Sequence, residues 1–215
     1  MTPLDDSWQR AWRALGLVPP AGLRERLVAA WREPQRHYHS LQHLQEGVDL
    51  LSEVRGEATH AGEVELALWF HDAVYDPQAR DNERRSADDA AACLALAGAA
   101  PEVARRVHAL VMATCHAAEP ATPDERLLVD IDLAILGAAP ARFAEYDAQV
   151  RAEYAWVPEA VYRDKRREVL AGFLARASLY GTPRLRDRLE AAARANLRAA
   201  IDALAPPATP EDPAR

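Results

Sequence analysis

Apolar residues recur along this chain at helical spacing, and strand patterns are almost absent. The sequence contains no Asn-Gly or Asp-Gly hairpin turn and no sustained alternation of β-branched residues. Ala, Leu, Arg and Glu, which favour helices, dominate the composition. The pattern predicts an all-α domain with helices near residues 4–15, 21–33, 40–55, 61–75, 83–98, 102–117, 123–136, 140–154, 158–179 and 183–204.

Capping residues and prolines mark many of the predicted helix ends. Residues 122–125 (Thr-Pro-Asp-Glu) form a predicted capping box, and Thr182-Pro183 predicts another helix start. Gly137 is expected to end its helix in the left-handed conformation. Because the loops are short, we expect one domain over residues 1–205 and a flexible Pro-rich tail over 206–215. Further first-turn prolines are expected at Pro101, Pro140 and Pro158.

Charge and composition narrow the classes of function. The formal net charge of −7 argues against a long nucleic acid as partner. Residues 1–10 lack the apolar stretch of a signal peptide, and the longest uncharged run, residues 90–100, is shorter than the ~20 residues of a membrane span. Cys93 and Cys115 fit no zinc or redox spacing, which favours reduced thiols in a cytoplasmic protein. A homo-oligomer is compatible with this composition.

The first candidate site is the segment Arg-His-Tyr-His-Ser-Leu-Gln-His at residues 36–43. His39 and His43 share a helix face if the helix already includes His39. Ser40 could instead cap the helix and leave His39 on the entry loop. This spacing is compatible with a metal site, but on spacing alone a surface or half-buried histidine pair is the commoner arrangement.

Two further apolar segments contain polar side chains. His71 and Asp72 end the apolar run of residues 67–70, and burying them without partners would be costly, so they need hydrogen bonds or a cation. Asp130 and Asp132 lie within another apolar helix and point about 200° apart. We predict that Asp132 faces the interior and that Asp130 has a structural role.

Two histidines and two aspartates thus come from three separate apolar segments. This ligand set suits Mn, Fe, Co, Ni or Zn and suits Mg less well, with one or two ions. The absence of thiolate ligands argues against a structural zinc site. Four protein ligands would leave coordination positions for water and substrate.

The order of His43, His71-Asp72 and Asp132 resembles the pattern of the HD superfamily of metal-dependent phosphohydrolases. Residues 38–43 are similar to a Tyr-His-x-x-x-His signature of some members, including cyclic-nucleotide phosphodiesterases, and Asp132-Leu133 resembles the closing Asp-Leu. The likeness extends from about residue 36 to residue 204 and implies an HD-type helical bundle. Segments resembling a bacterial branch of predicted HD phosphohydrolases, which has no assigned substrate, are residues 70–75, 81–87, 150–154, 166–170 and 176–180.

The resemblance implies a role for each matching residue. His43, His71, Asp72 and Asp132 would hold the metal. Asp72 would also bridge to a second metal or orient the nucleophilic water. His39 would protonate the leaving group or donate to a phosphate oxygen, since a histidine can do either near neutral pH.

Other residues are candidates for supporting roles. Glu83 would position water or hold a ligand histidine, or would only serve the helix dipole. His116 would contact substrate or a second metal, or would be an ordinary helix-end histidine. Three arginines are expected to bind phosphate through their planar guanidinium groups: Arg36, Arg151 and Arg166. The remaining histidines are expected to be structural (His108) or at the surface (His37 and His60).

Three functions follow as hypotheses. The first is hydrolysis of a small phosphoester or nucleotide by metal-activated water. The second is a di-iron oxygenase of the HD type, which needs additional histidine ligands; only His108 and His116 are available, at a narrower spacing than expected. The third is a regulatory domain that binds a metal without catalysis.

Overall fold

The computed structural model describes residues 2–205, which form ten α-helices and no β-strand. The predicted all-α class is therefore confirmed, and the tail expected over residues 206–215 lies outside the described residues. Short 3₁₀ turns follow two helices, at Arg55–Glu57 and Leu133–Gly137. The helices are α1 (Pro3–Leu15), α2 (Leu23–Ala30), α3 (Leu41–Val54), α4 (Ala61–Phe70), α5 (Asn82–Leu96), α6 (Pro101–Ala113), α7 (Pro123–Asp132), α8 (Pro140–Glu153), α9 (Glu159–Leu174) and α10 (Pro183–Ala203).

Helix α4 is the centre of the bundle. Its residues 62–70 are all buried, and it packs against α1, α3, α5, α6 and α7. Two buried glutamates of this helix are neutralised by arginines from outside it. Glu65 binds Arg10 and Arg55, and Glu63 accepts a 2.7 Å hydrogen bond from Nε of Arg106. A wholly buried helix can therefore carry charge, because each carboxylate has a bonded partner.

Tryptophans connect α1 and α2 to the end of α4 where the candidate site lies. The Trp8 ring packs edge-on against Trp69, whose indole N–H donates to Oγ of Ser7 at 3.1 Å. The indole N–H of Trp31 donates to the Trp69 carbonyl at 3.0 Å. The Trp31 ring centroid then lies 5.4 Å from that of His71. Packing around the site is therefore set by bulky, buried aromatic groups.

Most of the predicted helix starts are confirmed. In the capping box, Glu125 N–H donates to Oγ1 of Thr122 at 3.1 Å, and the Glu125 carboxylate accepts from the backbone N–H of Thr122. Pro158 is an exception, because it precedes α9 and Glu159 begins the helix. The prolines that occupy the first helical position, as expected, are Pro101, Pro123, Pro140 and Pro183.

Helix α9 ends five residues before its predicted end at 179. Arg194 of α10 donates to the carbonyl oxygens of Leu174, Arg176 and Ala177 at 3.1, 2.8 and 3.1 Å. A distant guanidinium thus satisfies carbonyls that a longer helix would have used, and the chain can turn toward α10.

The prediction for Gly137 is wrong. Helix α7 ends at Asp132, and Gly137 closes the following 3₁₀ turn without a positive φ. The glycine is needed for close packing instead. A Cβ on Gly137 would lie 2.7 Å from Cβ of Leu189 in α10 and 2.8 Å from the Leu189 carbonyl oxygen.

Within residues 2–205, no helix is both long enough and apolar enough to cross a membrane.

Candidate functional site

Side chains from three segments converge beside the end of α4. The Nε2 atoms of His43 (α3) and His71 (directly after α4) are 3.1 Å apart. Oδ1 of Asp132, the last residue of α7, lies 3.1 Å from the first nitrogen and 3.5 Å from the second. Oδ2 of Asp72 lies 3.1 Å from Nε2 of His71 and 3.8 Å from Nε2 of His43. The four side chains predicted to hold a metal therefore lie together.

The donor set of this cluster fits a divalent cation. Nδ1 of His71 lies 2.9 Å from the Leu68 carbonyl oxygen, which can only accept, so Nδ1 carries a proton and Nε2 is the nitrogen that faces the cluster and would bind a metal from the neutral ring. Both histidines are buried. Two atoms bound to one metal at about 2.1 Å are about 3.0 Å apart in octahedral geometry and about 3.4 Å apart in tetrahedral geometry. The 3.1 Å between the two Nε2 atoms lies within this range.

The electrostatics of the cluster also favour a positive group. Burial opposes a charged imidazole, but the carboxylates of Asp72 and Asp132 raise the pKa of His71 well above its ordinary value. Burial likewise opposes a charged carboxylate, but hydrogen bonds from His116, His43 and His71 hold the pKa of Asp132 well below its ordinary value. The carboxylates therefore stay ionised and attract a cation.

The two aspartates of α7 diverge as their 200° separation predicts. Asp132 points into the cluster, whereas Asp130 accepts hydrogen bonds from the backbone N–H groups of Gly181 and Thr182 at 2.9 and 2.5 Å. Thr182 is the N-cap of α10, so Asp130 satisfies donors at the start of that helix. Asp130 is thus placed for the structural role expected of it.

Arg36 explains why α4 ends at Phe70 and not near residue 75. Its buried guanidinium donates to the carbonyl oxygens of Asp72 and Ala73 at 2.6 and 3.1 Å, and to that of His39 at 3.2 Å. The arginine therefore joins the His39 loop to the His-Asp turn. The geometry does not support the expectation that Arg36 binds phosphate, because its donors are bonded within the protein.

His39 lies on the entry loop before α3, with Ser40 at the N-cap position, so the loop alternative is the one observed. Its Nδ1 lies 2.7 Å from Oε2 of Glu153. Because a carboxylate only accepts, Nδ1 carries the proton, and Nε2 is the ring nitrogen available for proton exchange. Burial disfavours the charged ring, but the Asp72 and Glu153 carboxylates outweigh it and raise the pKa of His39.

Glu153 is the main residue of this region that sequence reasoning missed. Its Oε1 accepts three backbone N–H groups, from residues 37, 38 and 39, at 2.8, 2.8 and 2.9 Å. Its Oε2 also accepts from the hydroxyl of Tyr75 at 2.8 Å. Burial opposes ionisation, but the bond and charge of His39 and these donors lower the pKa of Glu153 to about 2. The available signal was its place in segment 150–154, two residues after Arg151.

A cavity of about 970 Å³ opens beside the cluster. Asp72, Asp132 and His39 line it, so two of the four candidate metal ligands and the candidate acid share one space. Another part of the wall comes from α9 and from residues 154–158, which connect α8 to α9.

The structure brings His116 into contact with the cluster. Its Nε2 lies 3.0 Å from Oδ2 of Asp132, and its Nδ1 is buried without a hydrogen-bond partner in the described part of the chain. His116 lies three residues beyond α6 and has a φ of 54°, which is unusual for a residue other than glycine. Such strain is concentrated at functional sites. Its place in the cavity wall fits the expected contact with substrate or a second metal.

The charged groups of the cavity differ from those expected. Arg166 lines the cavity, where it binds Oδ1 of Asp147 through Nε and Nη2 at 3.1 and 3.0 Å. Arg151 does not line it, because its guanidinium binds Glu159 and the carbonyls of residues 154 and 157. Glu83 lies in the first turn of α5 and in the cavity wall, so its position fits both interpretations. Two cations that sequence reasoning missed also line the cavity: Arg80 and Lys165.

The remaining histidines and both cysteines lie outside the cluster. His37 is exposed, and the ring of His108 is 3.1 Å from Asp88 between α6 and α5. His60 binds Asp124 at 2.9 Å and is about 42% exposed. Cys93 is buried, Cys115 is half-buried in the cavity wall, and neither forms a disulfide.

No protein-family model, curated protein or solved structure matches this chain. Its function is therefore argued from the chemistry of the site.

Proposed function

We propose that this protein is a metal-dependent phosphohydrolase of the HD type that acts on a small phosphoester, including nucleotides. The observation that carries the proposal is that His43, His71 and Asp132 lie close enough to share one ion, with Asp72 3.1 Å from His71, beside a cavity that Asp72, Asp132 and His39 line. Four such ligands suit a divalent ion with positions left for water and substrate.

The four side chains would hold one divalent ion, and His116 beside Asp132 offers a nitrogen for a second. The candidate ions are Mn, Fe, Co, Ni, Zn and Mg. A bound ion of this kind supplies a Lewis acid, which makes water a better nucleophile and offsets the charge of a phosphoryl group.

His39 is assigned as the general acid. The Asp72 and Glu153 carboxylates raise the pKa of His39 and so favour its protonated form, and the bond from Nδ1 to Glu153 fixes the orientation of Nε2. As the ester P–O bond breaks, the leaving oxygen takes the Nε2 proton, while the oxygen of water forms the new bond to phosphorus and gives up one proton to solvent, from which His39 is reprotonated. The products are phosphate and an alcohol.

Cations in the cavity wall would offset the remaining phosphate charge. Arg166 is buried and close to Asp147, whereas Arg80 is exposed on the loop before α5. Arg166 is one of the three arginines that the sequence suggested for this role, and Arg80 takes the place suggested for Arg36 and Arg151. The free cysteines and the acidic net charge suit a cytoplasmic enzyme that does not bind long nucleic acids.

The test combines metal analysis with activity. Protein purified without chelator should contain a divalent metal and, with Mn, Co, Ni or Mg, should release phosphate from an ester in a screened panel. His39→Ala should lower turnover by about 10²-fold or more while metal content stays near that of the wild type. His37→Ala is the matched control, because its side chain is exposed and should change neither quantity.

Three results would contradict the proposal. Loss of metal in His39→Ala would make His39 a ligand and not the acid. Iron content with oxygen consumption and no phosphate release would favour the oxygenase. Tight metal binding without either activity would favour a regulatory domain.

A further inference from the structure

Three large apolar side chains of the cavity wall are unusually exposed. Trp156 is 56% exposed, and Val161 and Val169 are each 51% exposed. Only two other large apolar residues among those described at 2–205 are comparably exposed, Val18 and Leu96, and neither lines this cavity. Exposed apolar side chains that cluster in one place mark a binding surface more often than isolated ones do.

The spacing along α9 places this apolar surface on one face of the helix. Val161, Lys165 and Val169 are four residues apart, so they follow one another along the same face. Leu170 is wholly buried in the core, and so α9 has a separate core-facing side. Val161 and Val169 are therefore not part of the hydrophobic core.

This apolar wall is continuous with the candidate metal site. Trp156, Val161 and Val169 line the same cavity as Asp72 and Asp132. The cavity volume of about 970 Å³ is near the upper end of the range of sites for small organic ligands, roughly 300–1,000 Å³. A phosphate group alone would leave most of this space and the apolar wall in water.

We propose that the substrate is a phosphoester whose organic part is apolar, and that this part packs against Trp156, Val161 and Val169. The proposal rests on the proposed function for the position of the phosphate, beside Asp72 and Asp132. Lys165 and Arg166 line the same cavity, where Lys165 pairs with Glu168 at 2.8 Å and Arg166 with Asp147 at 3.0 Å, and they add positive charge to its wall. The side chains of Val161 and Val169 offer no hydrogen bonds to sugar hydroxyl groups, so this part of the wall favours an apolar group over a sugar.

The test is calorimetric binding of two phosphonates to the Mn²⁺-loaded protein. The probes are 1-naphthylmethylphosphonate and methylphosphonate, which share the charged group and differ in the apolar part. We expect the naphthyl probe to bind at least about tenfold more tightly to the wild type. The double variant Val161→Asn, Val169→Asn should lose about tenfold for the naphthyl probe and nothing for methylphosphonate.

Val18→Asn is the matched control, because Val18 is 81% exposed and lies outside this cavity. It should change neither affinity. Equal affinity of the wild type for both probes would overturn the proposal, as would a naphthyl preference that survives the double substitution. A dimer that the double substitution dissociates would also overturn it, since this face would then join two copies of the chain.

The phosphonates cannot be hydrolysed, so their binding does not depend on turnover. If the naphthyl preference is present and sensitive to the double substitution while no ester in the panel is cleaved, the hydrolase proposal fails and the apolar subsite stands. If esters are cleaved without any preference for an apolar group, the hydrolase proposal stands and the apolar subsite fails.

Discussion

Replacing Glu153 by glutamine tests whether this buried carboxylate organises the His39 loop. Glutamine keeps an oxygen for the three backbone N–H groups of residues 37–39 but places an NH₂ group opposite His39 and Tyr75. The pKa of Glu153 is about 2, against 4.5 for an ordinary glutamate. At ~1.36 kcal/mol per pH unit, ionised Glu153 contributes about 3 kcal/mol to the free energy of unfolding at neutral pH.

We therefore expect Glu153→Gln to lower the free energy of unfolding by about 3 kcal/mol at pH 7, measured by urea denaturation. Because the folded pKa is depressed, this contribution is complete above pH 4.5 and is lost as the pH falls toward 2. The difference between wild type and variant should shrink over that range. In this variant Nδ1 of His39 should accept a hydrogen bond from the glutamine NH₂ group, so the ring proton should move to Nε2. The pKa of His39, measured by NMR, should fall because the carboxylate is lost.

The control for Glu153 is Glu53→Gln. Glu53 pairs with Arg188 at 2.6 Å, but both side chains are about half exposed, so the change should cost less than about 1 kcal/mol. A Glu153→Gln protein with the wild-type urea midpoint at pH 7 would refute the reasoning. So would a stability difference that does not change between pH 4.5 and pH 2.

Two further pairs of variants test the fold and the site. Asp132→Ala should abolish tight metal binding with little loss of stability. Asp130→Ala should keep the metal and lower the free energy of unfolding by about 2 kcal/mol, because two N–H groups at the start of α10 lose their acceptor. Elemental analysis and urea denaturation measure the two effects, and the reversed pattern would contradict the assignment. Gly137→Ala should lower the free energy of unfolding by about 1–3 kcal/mol, because the new methyl group would overlap Leu189. Gly172 of α9 has open space around it, so Gly172→Ala should raise the free energy of unfolding by up to about 1 kcal/mol. Equal urea midpoints for the two alanine variants would contradict the packing argument.

Local sequence was enough to predict the helices and most of their starts. A capping box such as Thr122 with Glu125 uses contacts only three residues apart, and the first-turn prolines act through their own φ angle. Helical geometry alone required Asp130 and Asp132 to point about 200° apart, so that only one of them could join the cluster. The resemblance to the HD pattern singled out four residues, and the structure places their side chains close together: His43, His71, Asp72 and Asp132.

Tertiary structure decided where several helices end and which partners the charged residues have. Helix α4 ends where Arg36 donates hydrogen bonds to the carbonyl oxygens of Asp72 and Ala73, which are 36 and 37 residues away in sequence. Glu153 likewise binds His39 across 114 residues. Gly137 is a glycine because Leu189 of α10 approaches it, which no local pattern encodes. A sequence pattern records interactions within about one helical turn, whereas hydrogen-bond donors, close contacts and cavity walls are supplied by distant segments once the helices pack.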